Sequence, residues 1–268
     1  MATIASLTES LGTLKRNPKL FAVGLLVAII TLPQTAVSIL SALLAAPIQA
    51  VTFFIIPLVL GGLLGMAYEG RVRPTDFDTF KQIGKDRYVS ILAGRLIHWL
   101  IGLVFTVVSF VVTLFVVGIS FASATSGDPN IAQSIGVVTL VIFAIIFVLF
   151  LIVMLFVDLF PAAIVADDVG ALEGFKRSVS LVAGNFLPAL GYGVVMLIVK
   201  LLTAVPILFL VLVVFAGAGD LALGEGGALL LSVGGVLAYF VVATTLLLPF
   251  RGAFMMCFYH NHRPSKFE

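Results

Sequence analysis

The chain has 268 residues, 61% of them hydrophobic and only 10% charged, with a mean hydropathy of +1.24. Soluble domains carry roughly 25% charged residues, and no water-soluble fold of this length hides so much apolar surface. The net charge of +2 gives no global field to attract nucleic acid, and the single cysteine, Cys257, excludes an internal disulfide framework.

The chain opens on an amphipathic segment, 3–16, in which Ile4, Leu7, Leu11 and Leu14 recur at helical spacing and Asn17 follows. Lys15, Arg16 and Lys19 then precede an apolar run over 20–46. That run exceeds the roughly 7–15 residues of a signal h-region, and the best small-residue cleavage site would leave Pro47 just after the cut. It therefore reads as a first membrane helix. Further apolar runs cover 48–68, 89–123, 135–164, 186–217 and 227–257. Each exceeds the roughly 20 residues that cross about 30 Å of hydrocarbon. All must be helical, because lipid offers no partner to an open backbone. The expectation is an all-α polytopic bundle of six transmembrane helices, forming one integral membrane domain over 1–268.

The connections orient it. Three are short and free of lysine and arginine: Ala46-Pro47, the loop with Asp128, and the loop with Asp220 and Glu225. Of the 15 basic residues, all except Lys200 lie on the other side or at its membrane edge. The positive-inside rule then places both termini in the cytoplasm of a cell-membrane protein.

An internal repeat is also legible. Leu172, Phe175, Val179, Val182 and Asn185 match Ile4, Leu7, Leu11, Leu14 and Asn17 at one constant offset. In a degraded middle copy, Phe80, Ile83 and Asp86 hold the last three positions, and Ser10, Thr79 and Ser178 also correspond. Chance combined with ordinary loop amphipathicity is the competing account. The repeat predicts three helical hairpins, each entered by a cytoplasmic interfacial helix at about 3–16, 76–86 and 169–184, with Asn or Asp as N-cap of the next span. Pro57, Pro161 and Pro249 fall in the inner halves of the even spans, where each is expected to kink its helix.

The stretch Ala166–Phe186, ADDVGALEGFKRSVSLVAGNF, resembles a segment recurring in an uncharacterised group of six-helix archaeal membrane proteins, notably from halophiles. That group is similar to the membrane domain attached to some glycerophosphodiester phosphodiesterases. The likeness extends to the spacing of the six spans, but only this segment and the 69–88 loop are specific. It implies a fold. Its soluble catalytic domain has no counterpart in these residues, so no catalytic position carries over.

Candidate functional residues are few. Lys200 lies about 22 Å along a helix counted from Asn185. It either pairs with Asp158 as an intramembrane charge pair or snorkels to the headgroups, the second being favoured. Arg95, with His98 and Trp99, reads as an interfacial anchor, or else as part of an anionic headgroup pocket shared with Lys81, Lys85, Lys176 and Arg177. Cys257, His260 and His262 lack a fourth ligand and read as a helix end rather than a zinc site. Gly61 and Gly65 form a GxxxG pair, read as packing within the bundle in preference to dimerisation. No HExxH, Walker, GxGxxG or GxSxG pattern is present.

These features predict a non-enzymatic membrane component without cofactor or metal. Its partners would be membrane lipids or a protein bound at a basic cytoplasmic collar, with no nucleic acid; the oligomeric state is not legible. The competing expectation is a small-solute or lipid transporter with its site near Lys200 and Asp158.

Overall fold

A computed structural model describes the backbone of residues 2–40, 42–126, 129–217 and 224–263, and most side chains within them. Nine helices occur in these residues, and no strand. They are α1 (Ala2–Arg16), α2 (Lys19–Leu40), α3 (Ala42–Glu69), α4 (Phe77–Ser126), α5 (Pro129–Val157), α6 (Phe160–Asp167), α7 (Ala171–Gly184), α8 (Phe186–Gly217) and α9 (Gly224–His262). Six of them, α2, α3, α4, α5 running into α6, α8 and α9, provide stretches long and apolar enough to cross a membrane. The protein is thus a multi-pass membrane protein by the length and composition of its helices.

Several boundaries differ from the sequence expectation, each for a local reason. Helix α2 ends at Leu40 and α3 begins at Ala42, so Pro47 lies inside α3, near its start. The fourth apolar run is two helices. Pro161 occupies the first turn of α6, where its missing N–H costs nothing, and the break stands at Asp158 and Leu159. It therefore divides the run instead of kinking a continuous helix, whereas Pro57 and Pro249 do lie inside α3 and α9. The expected interfacial segment at 76–86 is not separate but forms the start of the 50-residue α4. Pro18 directly follows Asn17, and Pro188 closely follows Asn185. Proline disfavours helical geometry in the residue before it and removes a helical donor. No proline follows Asp86, and the helix runs on. Asp76, not Asp86, caps α4: its Oδ1 accepts the backbone N–H groups of Asp78 and Thr79 at 3.1 and 3.0 Å. These bonds, that from Thr79 first, hold the Asp76 carboxyl below its ordinary pKa.

The core lies at the end of the bundle that carries the basic residues. Leu20, Leu63, Leu64, Ile91, Ile164, Leu181, Phe254 and Phe258 are fully buried there. Toward the opposite end, the faces of α4 and α5 from Val104 to Phe115 and from Val137 to Val148 are exposed and apolar, as lipid-facing surfaces must be. Helix α3 packs on α2, α4 and α9, α2 also on α9, and α8 on α9. Glycine sets the α3–α4 approach. A Cβ on Gly62 would lie 2.3 Å from a ring carbon of Phe80, and one on Gly65 would lie 2.6 Å from Ile83. The GxxxG pair thus packs within the bundle.

The short helices α1 and α7 are amphipathic in matching registers. Ile4 and Leu11 in α1, and Leu172 and Val179 in α7, are exposed. Leu14 and Val182 are buried, as are Ser10 and Ser178. Asn17 and Asn185 do not cap the helices that follow. Each amide turns back instead, donating to Thr13 O at 3.0 Å and to Leu181 O at 3.1 Å. Each also reaches the far end of a later span, donating to Gly70 O at 2.9 Å and to His262 O at 3.3 Å.

Close packing at α3–α4 makes a contrast measurable. Gly62→Ala should lower stability by about 2 kcal/mol, whereas Gly235→Ala in α9, with nothing within 4 Å of the added carbon, should leave it unchanged or raised. Thermal unfolding in detergent of the two variants checks both.

Candidate functional site

The charged groups at the basic end sort into paired and unpaired. Asp167, closing α6, has a side chain only 3% exposed. Its two oxygens take Arg177 Nη1 at 2.7 Å and Arg263 Nη1 at 3.3 Å, and the Tyr259 hydroxyl donates to Oδ2. This carboxylate ties α6, α7 and the end of α9 together. Burial opposes the charge on Arg177, but the hydrogen bond and charge of Asp167 outweigh it and raise the pKa. The next residue, Asp168, turns the chain in the left-handed region at φ 55° and pairs with Arg87 of α4. Glu9 of α1 binds Arg71 at 2.7 Å and accepts Asn261 Nδ2 at 2.9 Å. Glu69 holds Arg73 at 2.6 Å.

Of the expected headgroup-binding set, Arg177 is therefore spent inside the protein. Lys81 and Lys85 stand one turn apart on the exposed face of α4, with no ion pair within 4.0 Å. Lys176 is 78% exposed and only touches Glu173 at 4.0 Å. Arg95 is separated from them, ten residues or about 15 Å beyond Lys85 along α4. It lies over the Phe53 ring at 5.4 Å.

Asp158 and Lys200 line one cavity of about 190 Å³ between α5 and α8, together with Leu155, Tyr192 and Met196. They do not form an ion pair. The Tyr192 hydroxyl donates to Asp158 Oδ2 at 3.1 Å, and Lys200 is exposed at the edge. The His98 ring of α4 neighbours Phe160 of α6, with ring centroids 6.1 Å apart.

Cys257, His260 and His262 are not brought together. Cys257 is buried beside Thr13, the His260 ring neighbours Tyr68 at 6.2 Å, and His262 stacks on Phe258 at 4.2 Å. Among the described residues, no group of three side chains could hold a metal ion.

Three features escaped the sequence reading. Asp167 drew no notice because its arginine partners are 10 and 96 residues away in sequence. Gln34 and Gln49 drew none although each interrupts an apolar run. That interruption was the available signal. Both line a groove of about 630 Å³ between α2, α3 and α4 with Phe53, Phe54, Arg95, His98 and Trp99.

Removing the Asp167 carboxylate breaks the ion pairs that tie α6 to α7 and to Arg263, between arginine side chains that are only 16% and 19% exposed, while Arg177 keeps Glu173 at 3.4 Å. Asp167→Ala should therefore cost about 3 kcal/mol, read as a lowered melting temperature and faster proteolysis at the α6–α7 turn.

No curated protein and no solved structure matches the chain. One family model, described as Domain of unknown function (DUF7847), matches residues 1–262, which include all nine helices. A match of that extent, over a six-span helical bundle, makes this chain a member of the DUF7847 family.

Proposed function

We propose that this protein is a non-enzymatic component of the cell membrane that binds anionic lipid headgroups, or a protein partner, through a basic cytoplasmic collar. The observation that carries the reading is the sorting of charge. Nearly every carboxylate at the basic end that makes an ion pair holds an arginine. Lys81, Lys85 and Lys176 face outward, with no ion pair closer than 4.0 Å among the described residues. A lysine near an anionic leaflet contributes about 1 kcal/mol of attraction. With the basic end in the cytoplasm, both termini lie there as well.

The same reading includes three repeated units. Helix α1 packs on α9, the start of α4 on α3, and α7 on α5 and α6. Each amphipathic segment thus supports the second span of another unit. The matching burial of α1 and α7, and the matching bonds of Asn17 and Asn185, support the repeat. The exposed Ile4, Leu11, Leu172 and Val179 suit the headgroup boundary. The likeness of Ala166–Phe186 to a segment of six-helix archaeal membrane proteins implies a fold and leaves the activity open.

In mixed micelles, the protein should retain acidic over zwitterionic phospholipid, and the preference should fall as salt rises. Lys81→Gln, Lys85→Gln and Lys176→Gln together should remove most of it. A preference unchanged by salt and by these substitutions overturns the collar reading.

A second reading, transport of a small solute, is favoured by the α5–α8 cavity that holds both Asp158 and Lys200. On that reading, Lys200→Met and Asp158→Asn each abolish solute-driven volume changes of proteoliposomes followed by light scattering. Responses identical to wild type for a panel of small solutes remove it.

A further inference from the structure

The groove between α2, α3 and α4 carries polar groups that nothing among the described residues satisfies. Arg95 makes no hydrogen bond and no ion pair among the described residues; its one neighbour of note is the Phe53 ring. Gln34 and Gln49 likewise have no hydrogen-bond partner there. The Nδ1 atom of His98 is buried without a partner. A guanidinium in a membrane-spanning helix is costly unless a counter-charge meets it. Asp158 lines the separate α5–α8 cavity and is bonded there to Tyr192. The groove thus presents one fixed positive charge and two amides, with no anion of its own.

Its surroundings say what kind of anion fits. At about 630 Å³ it lies in the range of pockets that hold small ligands, roughly 300–1,000 Å³. Ala50, Phe54, Leu96 and Trp99 on its rim are exposed, and Leu100 and Leu103 continue the exposed apolar surface along α4. Beyond His98 and Trp99, a second groove of about 800 Å³ opens between α4 and α5, walled by Leu103, Phe105, Phe147 and Phe150. A groove holding a fixed charge thus adjoins, across His98 and Trp99, one that holds no charged side chain and is walled mainly by aromatic and aliphatic residues, with Thr106 and Ser109 among them. That is the outline of an amphiphile, with an oxyanion at one end and hydrocarbon at the other.

We infer that this groove binds one acidic phospholipid. Its phosphate sits on Arg95 with Gln34 and Gln49 donating to its oxygens, and its acyl chains run past Trp99 along α4. Guanidinium suits this ligand because its planar donors match phosphate oxygens. The inference deepens the lipid-binding reading above and rests on it for acidic lipid around the protein, but it uses different residues from the collar lysines.

Trp99 is the chain's single tryptophan and lies on the wall shared by the two grooves, so its fluorescence reports lipid in either, and the Arg95 variants assign the headgroup end. The protein is reconstituted with phosphatidylglycerol or phosphatidylcholine carrying brominated acyl chains, which quench a tryptophan they touch. Brominated phosphatidylglycerol should quench Trp99 with about tenfold higher apparent affinity, the effect of one charge-assisted contact. Arg95→Gln should abolish the preference and Arg95→Lys should keep part of it. If Arg95→Gln fails to elute as a folded species, Gln34→Leu with Gln49→Leu should weaken the preference several-fold. Equal quenching by the two lipids in the wild type overturns the inference. So does loss of the preference on adding inorganic phosphate, which would make free phosphate the ligand. Lys81→Gln with Lys85→Gln should leave quenching of Trp99 intact. A loss equal to that of Arg95→Gln assigns the effect to the collar and overturns the groove, while leaving the collar reading standing.

Discussion

A helix that ends in a membrane protein frees backbone carbonyls, and each must find a donor where water is scarce. At two junctions of this fold, that demand is met by the side-chain amide of an asparagine. Asn17 gives one hydrogen to its own helix, at Thr13 O, and the other to Gly70 O at the end of α3. Its carbonyl accepts from the Thr75 N–H at 2.8 Å, so one buried residue closes α1, the end of α3 and the approach to α4. Asn185 does the same between α7 and the end of α9. A satisfied buried amide of this kind is worth most where the alternative is an orphaned carbonyl. The tight packing of the basic end follows from it, since the helix ends cannot separate without breaking these bonds.

The charges are arranged around that constraint. Arginine is used where a carboxylate must be bridged between elements: Arg71 to Glu9, Arg87 to Asp168, Arg177 and Arg263 to Asp167. Its planar fork loses less freedom per bond and tolerates partial burial. Lysine, a strongly hydrated point charge, is left at the surface in Lys81, Lys85 and Lys176. Arg95, like Arg16 and Arg251, makes no ion pair among the described residues, and it lines the groove between α2, α3 and α4.

Much of this architecture was legible in the sequence because bilayer thickness and helix rise leave few alternatives for a run of apolar residues. The six spans and the amphipathic registers of Ile4–Leu14 and Leu172–Val182 needed nothing beyond periodicity. The fate of the middle copy was not legible in the same way. Apolar spacing is identical whether a segment lies flat or continues into the next helix, and only the absence of proline after Asp86 distinguishes them. Pro161 is a similar case, since a proline reads alike as a kink or as a first-turn residue until the break before it is seen. The Asp167 knot depends on contacts between residues far apart in sequence, which spacing does not encode. The placement of Arg95 required knowing that α3 passes it at Phe53. By sequence alone it belonged with the lysines ten residues earlier.

If the three-unit reading holds, it also explains why the polar groups of the spans collect where they do. Unit boundaries fall between α3 and α4 and between α5 and α8, the second span of one unit meeting the first span of the next. Those are the two interfaces that hold Arg95 with Gln49 and Lys200 with Asp158. Packing between units is at least as extensive as within them: α3 lies on α4 at Gly61, Gly62 and Gly65, and α2 lies on α9 at Gly24, whose added Cβ would stand 2.5 Å from Thr245 O. A gap left between such helices in lipid is either filled by acyl chains or lined with groups that bind something. In the first boundary the lining is a lone cation and suits an anion. In the second it is a cation and a carboxylate, and the carboxylate is already bonded to Tyr192. Among the described residues, the α5–α8 gap thus holds both signs of charge, and the α3–α4 gap holds a cation with no carboxylate on its lining.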